Sequence, residues 1–247
     1  MQSVGVQEYR LRFSECDRYG RMKLKTFCDY AQEVAGIHAS ELGVGLEVLL
    51  PQQRSWFLSR ICLEIDRYPV VGSRVRVTTW PAGFDGLFAL REFRFALEDG
   101  GCFARGSSGW LLMDVAAMRI LHAERLCGAL LPPPPEGESV AFPCLGKLPV
   151  APAEENPRLR RVMPTQIDVN GHLNNAEYAA ILQDCLGLGV YPARLQINYK
   201  HSVPPDSELT ISGHGSGEGD GFLFTGRLDG VVSFEAAGTL HRTEQGE

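Results

Sequence analysis

A six-residue motif has a faint second copy along this chain of 247, sharing its Asp and its Gly, and that repeat restricts the fold more than any other feature. Asp17-Arg18-Tyr19-Gly20-Arg21-Met22 aligns with Asp168-Val169-Asn170-Gly171-His172-Leu173 at an offset of 151 residues. At the same offset Phe27 meets Tyr178, Gln32 meets Gln183 and Glu33 meets Asp184. Self-similarity at a fixed spacing marks a duplicated structural unit. The segments just after the two copies are also alike in type. After the first, Phe27, Ala31, Val34, Ala35, His38 and Leu42 keep helical spacing, and Gly43 is a stop signal. After the second, Tyr178, Ile181, Leu182, Cys185 and Leu186 do the same, with Gly187 past the end.

Strand patterns come after each helix. They cover Trp56–Ile65, Arg74–Trp80, Leu87–Leu97 and Cys102–Asp114 in the first half, separated by turn signals such as Gly72-Ser73 and Asp85-Gly86. In the second half they cover Arg194–Val203, Glu208–Ser212, Phe222–Leu228 and Val231–Leu240. Ahead of the first motif, alternating Tyr9, Leu11 and Phe13 read as one more strand. Between the halves lies Pro132-Pro133-Pro134-Pro135, then Pro143, Pro149, Pro152 and Pro157. Successive prolines exclude helix interior and central strand and set an extended spacer. The expected division is a first domain over 1–130, a proline-rich linker over 131–157 and a second domain over 158–247. The length allows one large core or two modest ones, and 44% hydrophobic with 22% charged residues is ordinary for a soluble globular chain.

The second copy of the motif carries chemistry that the first lacks. Asp168, Asn170 and His172 place a carboxylate, an amide and an imidazole within five residues, just before a helix. A carboxylate holds charge, an amide orients water and an imidazole titrates near neutrality. The free N–H groups of the helix start can stabilise an oxyanion. The same residues are equally the material of an ordinary turn, with Asn174 or Asn175 as an ordinary N-cap. The first copy has Tyr19 and Arg21 in place of Asn170 and His172, which predicts one active site per chain.

The run Asp168-Val169-Asn170-Gly171-His172-Leu173-Asn174-Asn175 resembles the active-site segment of the acyl-acyl carrier protein thioesterases of plants and bacteria. In that family Asp-x-Asn-x-His-x-Asn-Asn begins the second of two fused hotdog domains. The resemblance implies an α+β fold of two tandem hotdog domains, each a curved antiparallel sheet wrapped around a long central helix, with the acyl-chain pocket in the first. It implies hydrolysis of fatty acyl-acyl carrier protein to free fatty acid and carrier protein, with catalytic residues at Asp168, Asn170 and His172. Asn174 and Asn175 would then contact substrate. The family's later glutamate, within a segment like Tyr-Arg-Arg-Glu-Cys, has its best match at Tyr199-Lys200-His201-Ser202-Val203, so Ser202 stands where the carboxylate belongs. A serine orients water but does not take its proton at neutral pH. His201 would face away by strand alternation unless Pro204-Pro205 forces a bulge. Asp168 is then left as the carboxylate serving the water. Two alternatives stay open: an acyl-CoA thioesterase, or a hotdog protein that binds acyl thioesters without hydrolysing them.

A formal charge of −6 argues against nucleic acid and gives no overall attraction to an acidic carrier protein, so carrier docking needs a local basic patch. Arg158, Arg160 and Arg161 are one candidate, for carrier carboxylates or a phosphopantetheine phosphate; a solvated basic stretch is the other reading. No cofactor is implied. The six histidines and seven cysteines lack zinc-ligand spacing, which argues against a metal. Scattered cysteines, no leader pattern and no bilayer-length apolar run lead us to expect a cytoplasmic protein away from membranes, as monomer or homodimer. Gly213–Gly221 is expected to be a hairpin loop, Cys185 a packing residue, and His38 a core or pocket histidine. Trp56, Trp80 and Trp110 are expected in the core or lining an acyl tunnel.

Overall fold

The computed structural model describes residues 3–136, 138, 145–215 and 220–241. They form two compact units, one of Met1–Met22 with Asp29–Leu145 and the other of Lys23–Cys28 with Gly146–Glu247. The first unit holds strand β1 (Gly5–Arg10), a 3-10 turn (Phe13–Glu15), helix α1 (Leu24–Glu41) from Asp29 onward and the short helix α2 (Leu46–Leu49). Strands β2 (Arg54–Ile65), β3 (Arg74–Asp85), β4 (Phe88–Leu97), β5 (Cys102–Asp114) and β6 (Arg119–Leu121) come next, then helix α3 (Ala123–Cys127). The strands pair antiparallel in the order β1-β3-β4-β5-β2, with β6 on β5. Period two puts Ala89, Arg91, Phe93 and Phe95 of β4 on the face toward α1, where Arg91 meets His38. On α1 the side chains at helical spacing, Tyr30, Ala31, Val34, Ala35 and His38, are buried. Tyr30 stacks on Tyr9 of β1 with centroids 3.9 Å apart.

The second unit repeats the pattern: strand β7 (Arg158–Arg161), helix α4 (Asn175–Leu186), then β8 (Pro192–Tyr199), β9 (Glu208–His214), β10 (Gly221–Leu228) and β11 (Val231–Leu240). These strands pair in the order β8-β11-β10-β9-β7. Helix α4 buries Ala176, Tyr178, Ala179, Ile181 and Leu182. Tyr178 meets the rings of Tyr199 and Phe234 edge-on, each at 5.2 Å between centroids. Edge-to-face packing aligns the positive edge of one ring with the negative face of the next. Each unit is thus a long helix against an antiparallel sheet, the α+β arrangement anticipated from the sequence.

Four details depart from the sequence reading. β1 ends at Arg10, and Phe13 leaves the alternation to stand 87% exposed. β3 continues past Trp80 to Asp85, with Pro81 at a register shift where its missing N–H costs no ladder bond. The arginine run Arg158–Arg161 is an edge strand on β9. β8 stops at Tyr199 short of Val203, because the N–H groups of Lys200 and His201 both turn onto the carbonyl of Ser233.

The described part of the proline-rich segment packs on the units. Leu145 is buried beside Cys62, with its carbonyl held by the Arg60 guanidinium, and Glu138 pairs with Arg94. From Gly146 onward the chain crosses the helix-distal face of the second sheet. Gln196 Nε2 and Asn198 Nδ2 donate to the Gly146 carbonyl at 2.9 and 3.2 Å. Thr225 Oγ1 accepts from the Ala151 N–H at 2.9 Å, and Arg227 donates to the Ala151 carbonyl at 2.5 Å. A segment without regular structure thereby satisfies its backbone groups while buried. Residues 137 and 139–144, Pro143 among them, and residues 216–219 of the glycine-rich loop lie outside the described residues.

Phe234→Ala should cost about 3–5 kcal/mol of stability, the range for removing a buried ring from a packed core. Denaturant unfolding checks it, and a loss below about 1 kcal/mol would show that the Tyr178–Tyr199–Phe234 cluster does not support the second unit.

Candidate active site

The motif forms a tight turn at the head of α4. Asp168 Oδ1 accepts from the Asn170 N–H at 2.8 Å, and the Asp168 carbonyl accepts from Gly171 at 3.0 Å. The His172 carbonyl accepts from Asp168, closing the turn, and Ile167 and Leu173 form an antiparallel bridge. Gly171 sits at φ 78°, a left-handed conformation that strains any residue with a Cβ. Asn174 then caps the helix: its Oδ1 accepts from the Ala176 N–H at 2.8 Å.

The first unit builds the same turn at the same offset. Asp17 Oδ1 accepts from the N–H groups of Tyr19 and Arg21 at 2.8 and 3.0 Å, Cys16 and Met22 form the bridge, and Gly20 sits at φ 74°. The turn itself belongs to the fold. The second copy is distinguished by its side chains. Asn170 is exposed and His172 half-buried, and among the described residues neither side chain has a hydrogen-bond partner. Asp168 Oδ2 likewise has no donor among the described residues. An amide, an imidazole and one carboxylate oxygen are therefore all open to an incoming molecule, on a rigid loop.

Beneath the turn lie two tyrosines whose sequence pattern signals only packing. Burial pushes the Tyr178 phenol well above its usual range, and the negative charge of Asp168 pushes it further. Tyr199 is raised for the same first reason, and its hydroxyl donates to the Asn175 carbonyl at 3.1 Å. Both stay neutral and hold the helix start from below. Glu177 is a second carboxylate in the first turn of α4, but it accepts from Gln166 Nε2 at 2.8 Å and pairs with Lys25 at 3.4 Å.

The remaining sequence candidates are scattered around this turn. Ser202 is exposed in the connection after β8, and the next carbonyl, of Val203, accepts from the Leu173 N–H at 2.8 Å, so this segment runs beside the motif's end. His201 is also exposed, and its Nδ1 is 2.8 Å from the Val232 carbonyl. A carbonyl only accepts, so Nδ1 carries the proton and the ring is tied toward β11, away from the inward turn that a bulge would have given. Asn175 begins α4, and its side chain has no hydrogen bond among the described residues. Arg160 pairs with Asp184 at 3.1 Å and Arg161 with Asp206 at 3.4 Å. Arg158 donates to the Gly213 carbonyl and lies over the Phe224 ring. Asp184 is nine residues beyond Asn175, which puts the Arg160 pair roughly 13 Å along α4 from the motif.

In the first unit His38 is fully buried, and its Nδ1 accepts from Arg91 Nη1 at 3.1 Å, which also donates to Thr79 at 3.2 Å. Burial lowers Arg91 to about 10, so it remains a cation at neutral pH, with no carboxylate partner among the described residues. Its inward position was legible from the period-two pattern of β4. Among the described residues no three His, Cys, Asp or Glu side chains gather as a metal site would require.

A helix-and-sheet unit used twice, with a polar turn at the head of the second helix, defines the class of double-hotdog proteins. Residues 3–125 match the acyl-ACP thioesterase N-terminal domain and residues 152–239 its C-terminal domain, and the chain belongs to that family. It is 24% identical over 231 residues to a chloroplastic palmitoyl-acyl carrier protein thioesterase of Gossypium hirsutum, covering 83% of this chain and 54% of the relative. The chain thus spans about half the length of the curated relatives it matches. Among solved structures it is similar to an acyl-ACP thioesterase from Bacteroides thetaiotaomicron, with a TM-score of 0.84 at 21% identity, over 97% of this chain and 98% of that one. The 12:0-ACP thioesterase from Umbellularia californica gives 0.82 at 18%, over 98% of each chain. At such identities the structural likeness supports the double-hotdog fold.

Because both turns are built on an aspartate that accepts backbone N–H groups, two at Asp17 and one at Asp168, Asp17→Ala and Asp168→Ala should each lower stability by about 0.5–1.5 kcal/mol per bond lost. Paired thermal melts check this; a loss confined to one variant would show that the turns are not equivalent.

Proposed function

We propose that the chain hydrolyses the thioester of a fatty acyl-acyl carrier protein, releasing free fatty acid and the carrier thiol. The observation that supports this most directly is the open pair of side chains, Asn170 and His172, on a turn held rigid by Asp168 at the head of α4. In this reading Asn170 holds the attacking water or the carbonyl, since an amide both donates and accepts. Water adds to the carbonyl carbon, His172 takes its proton, and backbone N–H groups at the helix start stabilise the oxyanion. The C–S bond then breaks and the leaving thiolate receives the proton from His172. Asp168 orients the turn through Oδ1 and offers Oδ2 as the remaining carboxylate oxygen.

Family membership favours the carrier-linked thioester, and acyl-CoA presents the same pantetheine arm. Ser202 supports a second reading, a protein that binds acyl thioesters without turning them over, because it stands where the family resemblance puts a glutamate.

In steady-state assays on matched acyl-carrier and acyl-CoA thioesters, Asn170→Ala and His172→Ala should each reduce kcat/KM by about 10²–10⁴-fold with little change in melting temperature. Ser202→Ala should cost no more than about tenfold, the equivalent of one neutral hydrogen bond. Full turnover by a folded His172→Ala variant would remove this mechanism, and absence of turnover by the unaltered chain on every thioester, with binding retained, would select the second reading.

A further inference from the structure

The geometry points to a docking face for the carrier protein in the first unit, formed by Arg10, Arg12 and Arg18 around the exposed rings of Phe13 and Tyr19. The inference rests on the carrier-linked reading above and adds the surface that would recognise the partner. Although the chain has a net charge of −6, the stretch Arg10–Lys25 holds Arg10, Arg12, Arg18, Arg21, Lys23 and Lys25 against Glu15 and Asp17 alone. Both of those carboxylates are turned onto the protein itself. Glu15 Oε2 accepts from the Arg12 N–H at 2.7 Å and from the Tyr30 hydroxyl at 2.9 Å. Asp17 Oδ1 accepts from the Tyr19 and Arg21 N–H groups. Arg10, Arg12 and Arg18 stand outward.

Arg10, Arg12 and Arg18 are exposed and have no carboxylate partner among the described residues. Arg74, Arg76, Arg119, Arg160 and Arg161 each pair with an acid, whereas Arg67, Arg105, Arg125 and Arg158 are exposed, like Arg10, Arg12 and Arg18, without an ion pair among the described residues. The later basic stretch is therefore largely offset where it stands, and the earlier one is not. Phe13 at 87% and Tyr19 at 54% exposure lie within this basic run, with the Arg18 guanidinium 5.3 Å from the Tyr19 ring. Arginine and aromatic side chains together are the residues that interfaces favour and that carry most of their energy. Three backbone hydrogen bonds, Val71 to Gly20, Met22 to Pro69 and Gly72 to Leu11, hold the loop, so little ordering cost attends binding. Three outward arginines and two exposed rings within ten residues of one backbone-anchored segment fit an acidic protein that presents carboxylates and a phosphopantetheine phosphate.

The test measures binding of a fluorescently labelled carrier protein to the full chain by anisotropy, at low and at physiological ionic strength, where the Debye length is about 8 Å. The variants are Arg12→Glu with Arg18→Glu, the milder pair Arg12→Gln with Arg18→Gln, and Arg160→Glu with Arg161→Glu as the control. The first pair should weaken low-salt binding by about tenfold or more and remove most of its salt dependence, the milder pair less, and the control by under about threefold. Turnover of acyl-pantetheine, which has neither carrier nor phosphate, should stay within about twofold of the unaltered chain. Unchanged binding in both Arg12/Arg18 pairs, or a larger loss in the control, overturns the proposal. So does binding to phosphatidylglycerol vesicles that depends on Arg12 and Arg18 while carrier binding does not. Carrier binding that depends on these arginines in a chain without thioester turnover would keep the docking face and discard the activity.

Discussion

An aspartate carboxylate that folds back onto the N–H two residues ahead sets the course of the chain at the head of both long helices. With Asp17 and Asp168 in this role, the backbone reverses within a few residues, a glycine absorbs the left-handed conformation, and a short antiparallel bridge closes the turn. The next residues enter a helix whose first N–H groups still need partners, and in α4 Asn174 supplies one. The helix can then bury one face against a sheet, which is where most of its stability arises. Because this turn is satisfied by its own carboxylate, the side chains it displays are free to diverge. One copy displays Tyr19 and Arg21, the other Asn170 and His172.

The two faces of the second sheet are treated differently. Leu195, Ile197, Phe224 and Phe234 point toward α4 and make a dry core, while Gln196, Asn198, Thr225 and Glu235 alternate to the other face and are buried too. Polar groups taken out of water need partners, and the segment after Gly146 supplies many of them. Its carbonyls and amides bond to Gln196, Asn198, Thr225 and Arg227. A proline-rich connection suits this task because it has no ladder of its own to satisfy. A stretch that reads in sequence as a spacer acts in the structure as the cover of a polar sheet face.

Charge is placed by the same logic of local partners. Arg160 and Arg161 lie next to the motif in sequence yet are tied to Asp184 of α4 and to Asp206 in the turn before β9. Arg91 goes inward and is held by His38 and Thr79, a cation within the helix-facing side of the first sheet. Such a group is costly to bury, and its presence among Phe93 and Phe95 makes that side of the first unit less uniformly apolar than its strand pattern suggests.

Much of this was legible in the sequence. The repeat offset located both turns and both long helices, because a 3.6-residue apolar period and a terminal glycine are local signals. Period-two alternation located most strands for the same reason. The candidate residues Asp168, Asn170 and His172 were readable because they stand together in one turn, where sequence neighbours are also spatial neighbours. Tertiary structure decided the rest. The end of β8 at Tyr199 depends on the Ser233 carbonyl, more than thirty residues away, taking two successive N–H groups. The strand identity of Arg158–Arg161 depends on β9, and the burial of Ala151 on Thr225 and Arg227. Whether an arginine is neutralised, buried or left outward is likewise set by partners distant in sequence. Local patterns determine where elements form; which polar groups remain available for chemistry or binding is settled only when those elements pack.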